Sequence, residues 1–386
     1  MKVRFEHFGG IVSLEKPALL AFVSRNFLLK LGYAPHPAWS GTRRHLSAPT
    51  EAHLMITNRC NMACASCYTG ATPAGDPGEL SGAGWRMVLK TLADMGVFHV
   101  ALGGGESLLR SDLFDLAAYA RMQGMVPNLT TNGHELTSEL ARRCRIFGQV
   151  NVSLDGTSDE YAINRRGGSF SSALNGLKLL KKAGVRCGIN MVVSRRSFDQ
   201  MENVVRLAKK LKLHDVEFLR YKPGGRAAAL YGQFRLSDEQ TRTLYPKLLE
   251  LTERYRVPLK ADCSFVPFIA CHRPAREVME FYGVLGCEGG NHLLGVRSDG
   301  ALSVCSFVEE KACEAAEVAE QWDTNRQFNA YRNWCENAPE PCASCEYLHI
   351  CRGGCHAVTQ HYYGDISQPD PECPFVVDYL KKPRNK

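Results

Sequence analysis

Between residues 52 and 225, six short β-rich runs alternate with helical stretches, and this rhythm limits the possible folds more than any single motif. The strand candidates are AHLMIT (52–57), FHVALGGGE (98–106), MVPNLTTNG (125–133), QVNVSLDG (149–156), RCGINMVVS (186–194) and VEFLRYKPGG (216–225). Helical patterns separate them, among them GAGWRMVLKTLADMG (82–96) and a segment near 111–123. Nearly continuous apolar strands joined by helices require a parallel α/β sheet, open or closed into a barrel. The loops of unusual composition all follow strands, the end at which such folds carry their chemistry.

The chain has 386 residues, enough for two or three cores. Residues 1–48 precede the alternation as an N-terminal extension, in which ALLAFVSRNFLLKLG (18–32) reads as an amphipathic packing helix. After about residue 255 cysteines become dense, periodicity fades and turns multiply. Short irregular segments bury too little apolar surface to stand alone, so a small metal-stapled domain is expected there. The expected division is 1–48, 49–255 and 256–386.

A formal charge of +7 is mild for this length, and the Arg-Arg pairs are scattered, as on a solvated surface rather than a nucleic-acid stripe. The charged N-terminus lacks the long apolar core of a secretory signal, and no apolar run approaches the ~20 residues of a membrane span. The expectation is a cytoplasmic protein with neither nucleic-acid nor membrane partners. In a reducing compartment, sixteen cysteines at short spacings signal metal or redox chemistry instead of disulfides.

Cys60-x3-Cys64-x2-Cys67 follows the first strand of the alternation. Structural zinc closes its tetrahedron with four protein ligands, and a simple electron-transfer [4Fe–4S] cube also takes four thiolates. Three thiolates on one loop can hold three irons and leave the fourth open to a substrate, as open catalytic zinc sites do.

This loop resembles that of the radical S-adenosylmethionine (radical SAM) superfamily, and further motifs extend the resemblance. GGGE (103–106) is similar to the family's glycine-glycine-glutamate motif, and SLDG (153–156) ends a strand where the family places polar groups. The resemblance implies that the open iron binds S-adenosylmethionine and that cluster reduction releases a 5′-deoxyadenosyl radical. It implies backbone approach at Gly104 and Gly105, and hydrogen bonds from the methionine ammonium to Glu106. Ser153 and Asp155 would meet the ribose, and the Tyr68 N–H would face the adenine. Arg166 would hold the methionine carboxylate, with Arg165 as its rival. Thr131 and Asn132 in TTNG either contact the nucleotide or only make the turn. Ser66 and Ser107 depart from the aromatic and the proline common at those positions in the family.

Farther along, Cys287, Cys305, Cys342-x2-Cys345-x5-Cys351-x3-Cys355 and Cys373 resemble the SPASM domain, which carries two auxiliary [4Fe–4S] clusters. Together the resemblances imply a partial (β/α)6 TIM-like barrel followed by a small irregular iron–sulfur domain, three clusters in all. Cys342, Cys345, Cys351 and Cys373 would hold the outer cluster, and Cys287, Cys305 and Cys355 the inner one. Either Cys263 or Cys271 completes the inner set, or its fourth iron stays open. Cys313 and Cys335 are weaker candidates, and Cys144 and Cys187 read as buried free thiols.

Enzymes of this combined type mostly modify ribosomally made precursor peptides. RYKPGGRAA (220–228) looks like a segment of that group, and KVRFEHFGGIV resembles maturases of Nif11-like peptides. The resemblance implies a flavodoxin- or ferredoxin-type reductant, and a separate leader-recognition or accessory protein, since 48 residues are short for a leader-binding domain. The alternatives are tetrapyrrole side-chain modification of the haem d1 or alternative-haem type, and a non-catalytic iron–sulfur or zinc scaffold. A scaffold would need no adenosyl site. No acid or base can be assigned from the sequence.

Overall fold

The computed structural model describes residues 1–15 and 19–382. It begins with an antiparallel sheet of β1 (Lys2–Glu6), β2 (Gly9–Leu14) and β3 (Leu19–Ser24). The helix expected over 18–32 is therefore replaced by a strand and a short helix, with Ala18 outside the described residues. All six residues of β3 pair with β2, and this tertiary pairing overrides the helical pattern. At Ser24 the chain turns, its hydroxyl accepting from Phe27 N to start α1 (Arg25–Lys30). Arg4 fastens this sheet to the rest of the chain. Its guanidinium donates to the carbonyls of Ala48 (2.7 Å), Pro49 (2.8 Å) and Gly96 (3.1 Å) and pairs with Glu6 at 2.8 Å.

Six parallel strands follow: β4 (Glu51–Thr57), β5 (His99–Gly104), β6 (Val126–Thr131), β7 (Val150–Ser153), β8 (Cys187–Val193) and β9 (Val216–Arg220). They lie side by side in chain order. The expected partial barrel is this curved parallel sheet with helices on its outer face, including α2 (Gly82–Met95), α3 (Leu113–Met122), α4 (Ser138–Arg143), α5 (Glu160–Asn164), α6 (Phe170–Lys182) and α7 (Met201–Leu211). Side-chain alternation divides inside from outside. On β4, Ala52, Leu54 and Ile56 are almost wholly buried, whereas Glu51, His53 and Met55 line an interior cavity. The same parity places Asn128, Asn151, Asn190 and Glu217 in the lumen.

The boundary expected near 255 does not divide the sheet. β10 (Leu259–Ala261) adds in parallel to β9 at one edge. At the other edge β11 (Leu293–Val296) adds in parallel to β4, then leads into antiparallel β12 (Ala301–Ser303) and β13 (Cys313–Glu314). The remaining C-terminal segments are short helices and turns clasped to the barrel by Arg220. Wholly buried at the end of β9, Arg220 forms a two-pronged pair with Asp370 (2.6 and 2.9 Å) and also meets Glu372 (2.9 Å) and the Ser264 carbonyl (3.0 Å). Asp370 passes the connection on by accepting from the Cys355 N–H at 3.0 Å. Among the described residues no helix is long and apolar enough to cross a membrane.

Candidate metal and cofactor centre

The lumen is a cavity of about 1150 Å³ that runs from the amino ends of the strands, at Gln149 and Arg186, to their carboxyl ends. That exceeds the roughly 300–1,000 Å³ common for one small ligand. Cys60, Cys64 and Cys67 line the carboxyl end of the cavity together with Tyr68, Gly104 and Gly105.

Backbone contacts set the shape of the cysteine loop. Cys60 N donates to Thr72 O at 2.8 Å, Ala63 N to Arg166 O at 2.9 Å and Ala65 N to Asn164 O at 2.8 Å. The PGGRAA segment after β9 braces the opposite side. Arg226 donates to the carbonyls of Cys64 (3.2 Å) and Ala71 (2.6 Å). Gly225, at φ +47°, approaches so closely that a Cβ there would stand 2.4 Å from Gly70 N. Burial, with smaller additions from Glu106, Cys64 and Cys67, pushes the Cys60 thiol up to about 11. Burial raises the Cys64 thiol as well, and a bound cation would offset the charge of such thiolates, so this donor set fits a metal cluster.

The residues expected around S-adenosylmethionine divide into a wall and a support. Tyr68, Gly104, Gly105, Thr131, Asn132 and Ser153 line the cavity. Gly105 serves a close approach, because a Cβ there would lie 2.2 Å from Arg59 O. Glu106 is placed differently from the expectation. Its fully buried carboxylate accepts from Thr131 Oγ1 (2.7 Å), Asn132 N (2.7 Å) and Leu108 N (3.1 Å), and so shapes the TTNG turn from behind. Burial pushes its carboxyl above the usual range despite those donors. Asp155 is likewise withdrawn from the cavity, accepting from Asn164 Nδ2 and from Val192 N at 2.8 Å. It also pairs with Arg165 at 2.6 Å. Arg166 is exposed, and Arg165 instead reaches the cavity wall. The reason is α5, whose end turns Arg165 inward toward Asp155 while the Arg166 carbonyl bonds to Ala63 N.

Two further thiol groups form beyond the barrel. Cys287 is raised by burial and by Cys305 and Cys355, and Cys263 by burial, Asp262, Cys287 and Cys355. Of the two completions the sequence left open, Cys263 is the thiol near this group. Cys271 stands apart, its thiol against the Phe268 carbonyl at 3.2 Å and near Arg242 and Asp378. The other group joins Cys351 with Cys373, Cys342 and Cys345. Among the described residues no three His, Cys, Asp or Glu side chains converge as one bound metal ion requires. Thiols around a cube stand farther apart, since each meets a different iron.

Sequence reasoning missed the polar wall between the first and inner thiol groups. His53 Nε2 lies 3.4 Å from Glu51 Oε1, and its Nδ1 lies 3.5 Å from Ser306 Oγ, next to Cys305. Lys222 pairs with Asp262 at 2.5 Å and sits 4.2 Å over the Phe307 ring, which packs on Tyr68 at 4.4 Å. The available signal was Glu and His at alternate positions in EAHLMIT, a pattern equally suited to a solvent-facing edge.

The Radical SAM superfamily profile matches residues 54–208. Mycofactocin maturase MftC of Mycolicibacterium smegmatis is 30% identical over 340 residues, covering 86% of this chain and 84% of the relative. AdoMet-dependent heme synthase of Methanosarcina barkeri is 29% identical over 346 residues, covering 85% and 97%. In fold, the chain is similar to Streptococcus suis SuiB bound to S-adenosylmethionine, with a TM-score of 0.75, 19% identity and 96% and 98% coverage.

Proposed function

This chain belongs to the radical SAM superfamily, and we propose that it is a maturase that oxidises a ribosomally made precursor peptide with the help of three [4Fe–4S] clusters. The carrying observation is the extent of the likeness to a peptide maturase, which runs through the barrel and most of the cysteine-rich region. The size of the lumen supports it, with room for a nucleotide and a peptide segment together.

Family membership brings an iron–sulfur cluster and S-adenosylmethionine, which together supply a 5′-deoxyadenosyl radical that removes a hydrogen atom from substrate. In our reading Cys60, Cys64 and Cys67 hold that cluster. Gly104 and Gly105 let the strand end pack on the Thr57 and Arg59 carbonyls beside the nucleotide, Tyr68 and Ser153 flank it, and Arg165 receives its carboxylate. Glu106 and Asp155 hold the TTNG turn and Arg165 in position. Cys263, Cys287, Cys305 and Cys355 form the inner cluster site, closed by four protein ligands. Cys342, Cys345, Cys351 and Cys373 form the outer one, nearer the surface and suited to electron exchange with a flavodoxin- or ferredoxin-type partner.

Tetrapyrrole modification is the second reading, favoured by the likeness to heme synthase over 97% of that protein. The deciding experiment co-expresses the chain with small precursor genes beside its own and weighs the peptides by mass spectrometry. A mass change in the peptide that vanishes in Cys60→Ala supports maturation. An unchanged peptide, with leader and partner present, refutes it. The anaerobic protein is expected to hold about twelve iron atoms per chain, four for each cube.

A further inference from the structure

The lumen between the first and inner thiol groups carries an imidazole with a carboxylate behind it. His53 and Glu51 point inward from β4 by strand alternation, and both line the cavity. A carboxylate only accepts, so Nε2 carries the hydrogen directed at Glu51, 3.4 Å away. The Nδ1 lone pair is left facing Ser306 Oγ at 3.5 Å. Ser306 adjoins Cys305 and neighbours the Tyr68 hydroxyl, itself one residue past Cys67. The Nδ1 lone pair therefore faces the part of the lumen lined by Tyr68, Ser306 and Phe307.

We propose that His53 is the proton acceptor of the reaction, taking the substrate's proton at Nδ1 directly or through Ser306, while Glu51 orients the ring. The proposal rests on the oxidative reading given above. Removal of one hydrogen atom leaves a carbon radical on the substrate. A closed-shell product would then require loss of one electron, which an iron–sulfur cluster held by the inner thiols would accept, and of one proton, which His53 takes. In total the substrate loses two hydrogens, one as an atom and one as a proton and an electron. Every charged group facing this pair bears on its titration. Glu51 shares its strand, His99 stands beside Glu51 on β5, and Glu217 approaches from β9. Lys222 follows β9, and Lys260 on β10 acts on Glu51. Burial disfavours the imidazolium, but Glu51 and Glu217 outweigh it and hold the ring above its ordinary range.

The test measures modified peptide formed per 5′-deoxyadenosine, from pH 5.5 to 8.5, using the anaerobic holoenzyme and the neighbouring precursor peptide. In the wild type this ratio should fall on acidification through a midpoint above about 6.5. In His53→Gln it should drop by about a hundredfold and lose its pH dependence. A ratio unaffected by His53→Gln, or flat with pH in the wild type, overturns the proposal. Exchange of the His53 C2 hydrogen with deuterium, followed by mass spectrometry of the holoenzyme, gives a reading free of any substrate. Its midpoint should exceed about 6.5 and move down in Glu51→Gln; a wild-type midpoint at or below that value overturns the proposal. Failure of the wild type to modify the peptide refutes the peptide reading alone, and the exchange midpoint then decides for His53.

Discussion

The two cysteine-bearing regions are supported in opposite ways. Cys60, Cys64 and Cys67 ride on a loop whose strand, helix and neighbouring turn are held by an apolar core including Leu54, Ile56, Trp85 and Leu102. Beyond β10 the cysteines are joined by turns, short helices and a buried ion cluster around Arg220. A loop on a prebuilt barrel can leave one iron corner free for chemistry, because its fold needs nothing from the metal. The region beyond β10 shares that core through Phe265, Phe268, Trp322 and Val358, but the turns that carry Cys342, Cys345, Cys351 and Cys373 are the part that metal binding would order.

Breaking one cluster in each region should expose that contrast most strongly. Cys351→Ala and Cys64→Ala should each lose about four irons. Only Cys351→Ala should become open to limited proteolysis between residues 287 and 373, while Cys64→Ala keeps the wild-type digestion pattern. Equal sensitivity in the two variants would erase the distinction. Next in size is Arg220→Leu, which leaves Asp370 and Glu372 buried without their cation. It should cost about 3–5 kcal/mol in denaturant unfolding and lower C-terminal iron content.

On the barrel side, Asp155→Asn should spare the fold and weaken anaerobic S-adenosylmethionine binding by about 10- to 100-fold, measured by calorimetry. That range corresponds to losing a charged hydrogen bond to Arg165. The smallest effect concerns His292, whose ring is pushed down to about 3 by burial and by Arg352 and Arg4. Its folded value lies below its unfolded value, so the unfolded chain binds the extra proton in acid. Stability should therefore fall by about 1 kcal/mol as pH drops from 6.5 to 5.5. His292→Phe should flatten that slope in denaturation curves, locating the acid sensitivity at the junction where the His292 carbonyl accepts from Thr50 and Glu51 N–H groups.

Much of the barrel was legible because each strand carries its own local signal. AHLMIT, MVPNLTTNG and RCGINMVVS all became strands near their expected limits. The stretch 18–32 was misread because apolar spacing alone cannot reveal a strand partner earlier in the chain. Arg165 and Arg166 are adjacent and chemically identical, so only the final turn of α5 decides which guanidinium points inward. Glu106 was legible as a motif residue, yet its direction depends on Thr131 and Asn132, 25 and 26 positions away.

Residue types and short spacings along the chain determined the parallel architecture, the three-thiol loop and the supply of cysteines for further clusters. These properties depend on neighbours within a few positions. Tertiary structure alone decided that Cys263, not Cys271, stands with Cys287, Cys305 and Cys355, and that His53 faces Ser306 across 253 positions. Convergence of that kind follows from how strands and turns pack, and separation along the chain carries no record of it.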